Sequence, residues 1–270
     1  MDMSPTPTIE ARLDQLESRQ ILLRESLIRA FWEQADRLDA LTLPGRRLRC
    51  PICDREETRE RLEKRIDQCQ FGGGRLERYE CQGCGGVFGP AKFLDLSPEM
   101  VSTDYRLLYD GYAEANSTAS EIRAFRSLLP EAPGPYLNWG CGRWSDTIPT
   151  LRAEGHDVWG YEPAAPPVDG GFIVGDKGHI SAQFAGIFSN NVIEHMLRPV
   201  EEFRYFHSIL KPGGRMAHAS PCYEYAYAST RFHVIFLTGD APHVLAERTG
   251  FRVAGREQEG EFINCVFERV

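Results

Sequence analysis

Cys50-Pro-Ile-Cys53 and Cys81-Gln-Gly-Cys84 set two pairs of thiols 27 residues apart. A CxxC turn points two thiolates at one spot, and two such turns supply the four soft ligands of a tetrahedral zinc ion. Asp54 after the first pair and Gly85-Gly86 after the second suit the tight turns required. Four cysteine ligands close the coordination sphere, so zinc held there is structural and not catalytic. The polar segment between the pairs, with Gly72-Gly73-Gly74, is expected to lean on that metal for folding free energy on the order of 10 kcal/mol. The alternatives are four unrelated buried thiols or a redox pair. Against the second, neither CxxC opens a helix after a strand. Cys69 lies between the pairs at no such spacing.

A second set of residues could hold a nucleoside cofactor. The apolar run 136–139 leads straight into Gly140-Cys141-Gly142, where missing side chains would let backbone approach a ligand at the carboxyl edge of a sheet. Glu162 follows the next apolar run, about 20 residues on, where a carboxylate can accept both hydroxyls of a ribose. Asp176 follows a third run. After a fourth come Asn190, Asn191, Glu194 and His195, and His218, Tyr223 and His233 lie in or beyond a fifth. From Asn191 onward these are the candidate bases or metal ligands.

Such residues need elements to carry them. Strands are expected at 136–139, 157–161, 171–174, 186–189 and 215–220, with a closing hairpin at 251–255 and 261–267. Helices are expected at 145–154, 199–210 and 240–249, and the alternation is that of a parallel α/β sheet. At the other end, residues 9–41 contain no Gly or Pro. There Ile9, Leu13, Leu16, Leu23 and Leu27 recur at helical spacing, interrupted by Gln20. That helix is either a short coiled coil joining subunits or an amphipathic helix docked on its own chain. The organisation is thus a helix over 1–46, a four-cysteine module over 47–100 and an α/β domain over 101–270.

The stretch Phe-Ala-Gly-Ile-Phe-Ser-Asn-Asn-Val-Ile-Glu-His, 184–195, is followed one helix later by Leu-Lys-Pro-Gly-Gly, 210–214. Together with the glycine turn and Glu162, this resembles the class I S-adenosylmethionine-dependent methyltransferases. The resemblance implies a Rossmann-like seven-stranded sheet with its last strand antiparallel. It also implies Gly140, Cys141 and Gly142 at the methionine end of S-adenosyl-L-methionine, Glu162 at the ribose, Asp176 near the adenine and Asn190 beside the sulfonium. The pattern departs from the family at Asn138, in place of the usual acid, at Trp144, in place of a third glycine, and at Ala185, in place of Asp. Residues 163–171 leave no room for the usual helix and include three prolines. A weakened or lost activity is the alternative these departures leave open.

Asn191-x-x-Glu194-His195 resembles the Glu-x-x-Glu-His metal motif of small-RNA 2′-O-methyltransferases and ubiquinone-pathway O-methyltransferases, with Asn as its first member. His195 is therefore expected to act as a base or, with Glu194, as a ligand of a catalytic divalent metal. His233 lies in a segment that in this family covers the acceptor, and a purely structural role stays open for all three. A zinc module ahead of the sheet resembles bacterial methyltransferases of sugars and glycans, which makes a sugar hydroxyl the expected acceptor. A small phenolic or polyketide-like hydroxyl is the alternative, as is a non-catalytic partner-binding protein. A net charge of −8 argues against a phosphate-backbone binder, which needs a basic face, so no nucleic-acid partner is expected. No run of about 18 apolar residues spans a membrane, and Met1–Thr8 lacks a secretory pattern, so a cytoplasmic protein is expected.

Overall fold

The computed structural model describes residues 8–109, 112, 115–130, 134–142, 145–163, 171–181 and 183–270. Helix α1 (Ile9–Thr42) begins at Thr8, whose side chain caps Ala11 N at 3.2 Å. Strands β1 (Arg47–Arg49) and β2 (Glu56–Thr58) form an antiparallel ladder around the first cysteine pair. Then come β3 (Glu63–Gln68), β4 (Arg75–Glu80), β5 (Val87–Phe88), α2 (Ala91–Leu94), α3 (Pro98–Tyr109) and α4 (Thr118–Ser127). The remainder runs β6 (Tyr136–Trp139), α5 (Thr147–Ala153), β7 (Val158–Tyr161), β8 (Ile173–Val174), β9 (Phe184–Asn190), α6 (Pro199–Ile209) and β10 (Leu210–Ala219). It closes with β11 (Ile235–Phe236), α7 (Ala241–Thr249), β12 (Phe251–Glu259) and β13 (Phe262–Arg269).

Seven strands form the central sheet in the order β12-β13-β10-β9-β6-β7-β8. β8, β7, β6, β9 and β10 are parallel, and β13 runs antiparallel to both β10 and β12. This is the Rossmann-like α/β fold expected, with the expected strands and hairpin present. The largest boundary change is at β10, which starts at Leu210, paired with Phe184, so Leu-Lys-Pro-Gly-Gly is an irregular stretch inside the strand and not a loop before it. The chain passes from β6 to β7 on one side of the sheet and later sets β9 on the other side of β6. That reversal opens a crevice above the carboxyl ends of β6 and β9.

The segment between the cysteine pairs is more than a metal-dependent loop. β3 and β4 pair over six residues, and Leu76 and Tyr79 are fully buried. Their sheet is completed from the far side of the sequence, in the order β11-β5-β4-β3, with Ile235 and Phe236 laddered to Phe88 and Val87. Segment 227–236, which follows β10 and ends in β11, is thereby wedged between the front module and the central sheet.

Two fully buried arginines hold it there. Arg78 of β4 donates to the carbonyls of Ala228 (2.8 Å), Thr230 (2.7 Å) and His233 (3.1 Å), and pairs with Asp67. Arg231, inside the segment, grips Asp104 of α3 with two bonds of 2.6 and 2.8 Å and reaches Phe71 O at 2.7 Å. Trp32 of α1 joins the cluster, donating to Asp104 at 3.4 Å and stacking on Phe93. Ile28 and Trp32 therefore dock the second half of α1 on its own chain, while Leu13, Leu16, Leu23 and Leu27 remain exposed. Among the described residues no helix is long and apolar enough to cross a membrane.

Asp104→Ala leaves Arg231 buried without its counter-charge and is expected to destabilise the fold by about 3–5 kcal/mol in denaturant unfolding. A loss under about 1 kcal/mol, the range of a surface pair, would contradict this role.

Candidate active site

The glycine turn is laced to the neighbouring strand. Gly140 N and Cys141 N both donate to Tyr161 O, at 2.8 and 3.1 Å, and Gly142 N donates to the Glu162 carboxylate at 3.2 Å. Gly140 has φ +68°, and a Cβ there would lie 2.8 Å from Val192 Cγ2, so glycine is needed for both conformation and space. Cys141 is buried, and burial pushes its thiol up to about 12, with the charges of Glu162 and Glu121 adding to the effect. It lines the turn as an inert thiol. A cleft of about 400 Å³ opens beside it, walled by Asn138, Cys141, Gly142, Ser145, Arg152 and Phe172.

Other expected residues fall around this edge. Asn190 ends β9 in register with Ala219 of β10. Asp176 sits beyond β8, exposed, and its Oδ1 accepts Gly178 N at 2.8 Å as the cap of a short turn. Ala185 is an ordinary strand residue whose N–H donates to Pro135 O at 2.7 Å. Trp144 and the prolines Pro166 and Pro167 lie outside the described residues.

Glu194, His195 and His233 come together. Their ligand atoms all lie within 4.8 Å of one another. Glu194 is fully buried, and its carboxylate stands 3.9 Å from His233 Nε2. The segment is also tied by its backbone, with Val234 N donating to Glu194 O at 2.8 Å. His195 Nδ1 lies 2.6 Å from the Tyr105 hydroxyl and 3.0 Å from Phe232 O. Burial drives His195 down to about 4, against the hydrogen bonds to the Phe232 and Asn191 carbonyls that raise it. Burial, with the charge of His195 and Arg78 adding, drives His233 down to about 2. Both imidazoles are thus neutral at pH 7, and each is a weak proton acceptor. This arrangement suits a divalent cation, which neutral imidazole and carboxylate ligate well.

His218 and Tyr223 do not reach the crevice. His218 is fully buried among Phe203, Phe206 and Phe267, with Ser189 Oγ 2.8 Å from its Nδ1, and burial takes it down to about 3. Tyr223 is buried and donates to His218 O at 3.1 Å. Tyr105, which touches His195, had no signal in the sequence, because the contact joins residues 90 apart through α3.

The four cysteines also converge, all with sulfurs within 4.8 Å of one another. Cys50 and Cys84 lie 3.8 Å apart and Cys53 and Cys81 3.4 Å. A tetrahedron with 2.3 Å metal–sulfur bonds has edges of about 3.8 Å, so the donor set fits one zinc-sized ion. Gly83 N donates to Cys81 Sγ at 3.3 Å, and hydrogen bonding from Cys50 brings the Cys81 thiol down to about 4 and lowers that of Cys84. The second knuckle leans on the central domain at two glycines: Gly85 and Gly239 are packed so closely that a Cβ on Gly85 would lie 3.2 Å from Gly239 Cα.

Residues 112–255 match the family model of the methyltransferase domain. The chain belongs to that family. It is a class I methyltransferase, and the crevice at the β6/β9 reversal is where its sheet offers a ligand site. Several solved methyltransferase structures are similar to it in outline. A 1,6-didemethyltoxoflavin-N1-methyltransferase from Burkholderia thailandensis, bound to 1,6-didemethyltoxoflavin and S-adenosylhomocysteine, has a TM-score of 0.49 and 14% identity. That match covers 77% of this chain and 99% of the other. A TehB-like methyltransferase from Corynebacterium glutamicum has a TM-score of 0.42 and 21% identity over 64% of this chain and 97% of the other. An S-adenosylmethionine-dependent methyltransferase from Mesorhizobium loti has a TM-score of 0.41 and 18% identity over 59% and 99%. Comparison with curated proteins gave no match.

Proposed function

We propose that this methyltransferase transfers a methyl group from S-adenosylmethionine to a hydroxyl oxygen of a sugar-containing or other small acceptor. The observation that carries the reading is the bond between the Gly142 N–H and the Glu162 carboxylate, which sets an acid beside the glycine turn at the sheet reversal. Bound there, the cofactor supplies an electrophilic methyl on a sulfonium. The chain's own task is alignment: Glu162 accepts the ribose hydroxyls, the turn 140–142 lies against the methionine end, Asn190 borders the sulfonium and Asp176 the adenine edge. A sugar or glycan hydroxyl is the first choice of acceptor, supported by the four-cysteine module ahead of the methyltransferase sheet. A small phenolic or polyketide-like hydroxyl is the second, and a radiolabelled-methyl assay over both classes separates them. Glu162→Ala is expected to weaken S-adenosylhomocysteine binding by about 1.5–3 kcal/mol in calorimetry, and an unchanged affinity would sink the assignment.

Glu194, His195 and His233 are proposed to hold a divalent cation next to the acceptor, in preference to His195 acting as a base. The mutual 4.8 Å spacing of their ligand atoms supports this. A divalent ion there would lower the proton affinity of the acceptor hydroxyl. A mild chelator should stop turnover, and magnesium or manganese should restore it, with zinc content unchanged throughout. Turnover indifferent to such a chelator would return the role to His195 as base.

Cys50, Cys53, Cys81 and Cys84 are proposed to bind one structural zinc. Elemental analysis of protein purified without added metal should find close to one zinc per chain, and Cys81→Ser should lose it. Full zinc in that variant would be contradictory.

The free half of α1 is proposed to pair with a second copy of the chain. Ile9, Leu13, Leu16, Leu23 and Leu27 form an exposed seam on a face next to the docked Ile28 and Trp32. Light scattering should report an oligomer that becomes monomeric when residues 1–27 are removed. A monomeric full-length chain would refute the pairing.

A further inference from the structure

The family position that usually carries an acid before the glycine turn is Asn138 here, and a carboxylate stands beside it from another element. Glu121 of α4 is only 3% exposed. It accepts hydrogen bonds from Asn138 Nδ2 at 2.6 Å and from Ser145 Oγ at 2.9 Å, and the Ser117 hydroxyl also donates to it. All three donors are neutral, and among the described residues no lysine or arginine pairs with it. Asn138 is 1% exposed, and its other polar atom, Oδ1, is buried with no hydrogen-bond partner among the described residues. A buried anion and a buried, unused acceptor are each costly, so their persistence side by side calls for a donor that is also a cation. Asn138 and Ser145 both wall the cleft beside Cys141 and Gly142 and both donate to Glu121, so a donor held in that cleft would lie next to the residues that bind the carboxylate.

We propose that Asn138 Oδ1 and Glu121 form the seat of the α-ammonium group at the methionine end of the cofactor. The acid required there has moved from strand β6 to helix α4, and Asn138 bridges it to the ligand. An ammonium entering the cleft donates one N–H to Asn138 Oδ1, and its charge is balanced by Glu121 through the shared amide. This also accounts for the departure at Asn138, since a second carboxylate on β6 would repel Glu121. The inference rests on the cofactor reading above.

Calorimetry with two probes separates the two readings: S-adenosylhomocysteine carries the amino-acid end, and 5′-methylthioadenosine lacks it. Glu121→Gln keeps the shape and most hydrogen bonds of the pocket. It is expected to weaken S-adenosylhomocysteine by on the order of tenfold to a hundredfold and to leave 5′-methylthioadenosine unchanged. Adding Asn138→Asp to Glu121→Gln returns the carboxylate to the strand and should recover S-adenosylhomocysteine affinity. An unchanged S-adenosylhomocysteine affinity in Glu121→Gln, equal weakening of both probes, or no recovery in the double variant overturns the proposal. A wild-type chain that binds neither probe instead contradicts the cofactor reading, and this inference with it.

Discussion

Two guanidinium groups removed from water govern how this molecule is assembled. A buried charge is tolerated only when its donors meet acceptors of fixed position, so Arg78 and Arg231 dictate the path of whatever supplies those acceptors. Arg78 reaches across from the front module to three backbone carbonyls of segment 227–236, and Arg231 reaches back from that segment to Asp104 and Phe71. The two residues work as a pair of opposed clamps. With β11 laddered onto β5, they make the cysteine module, α3 and segment 227–236 one body. His233 and Phe232, which meet Glu194 and His195, owe their positions to these clamps more than to the central sheet.

Burial also sets the protonation of this cluster. His195 and His233 are half-buried and largely withdrawn from water, so their neutral forms persist well below the usual imidazole range. A conjugate acid near 4 makes a weak base at neutral pH, whereas a permanently neutral imidazole is a ready donor to a cation. Glu162, by contrast, is partly exposed and bonded to the glycine turn.

Local pattern carried the central sheet. The runs at 136–139 and 186–189 were legible because strands covered on both faces read as continuous apolar stretches, and the helix at 199–210 because its buried residues recur at helical spacing. The glycine turn and Glu162 were legible because they adjoin strand ends, and the cysteines because their ligand spacing is local. What the sequence hid was non-local. β11 is only two residues long and exists because β5 offers it an edge. β3 and β4 read as polar because Arg78 and Glu77 are buried through ion pairs and hydrogen bonds made with distant partners. Glu121 went unnoticed for the same reason, its role depending on Asn138 and Ser145 rather than on neighbours in α4. His218 looked like a candidate base by position, and only the packing of three phenylalanines removes it.

We propose that one crevice, at the reversal of the sheet, holds the methyl donor facing His195. A crystal structure of the full chain with S-adenosylhomocysteine tests it most directly. The ribose hydroxyls are expected on Glu162, the homocysteine chain over residues 140–142 and the sulfur beside Asn190, open towards His195 and His233. Density for the cofactor elsewhere, or with its sulfur turned away from that cluster, would contradict it.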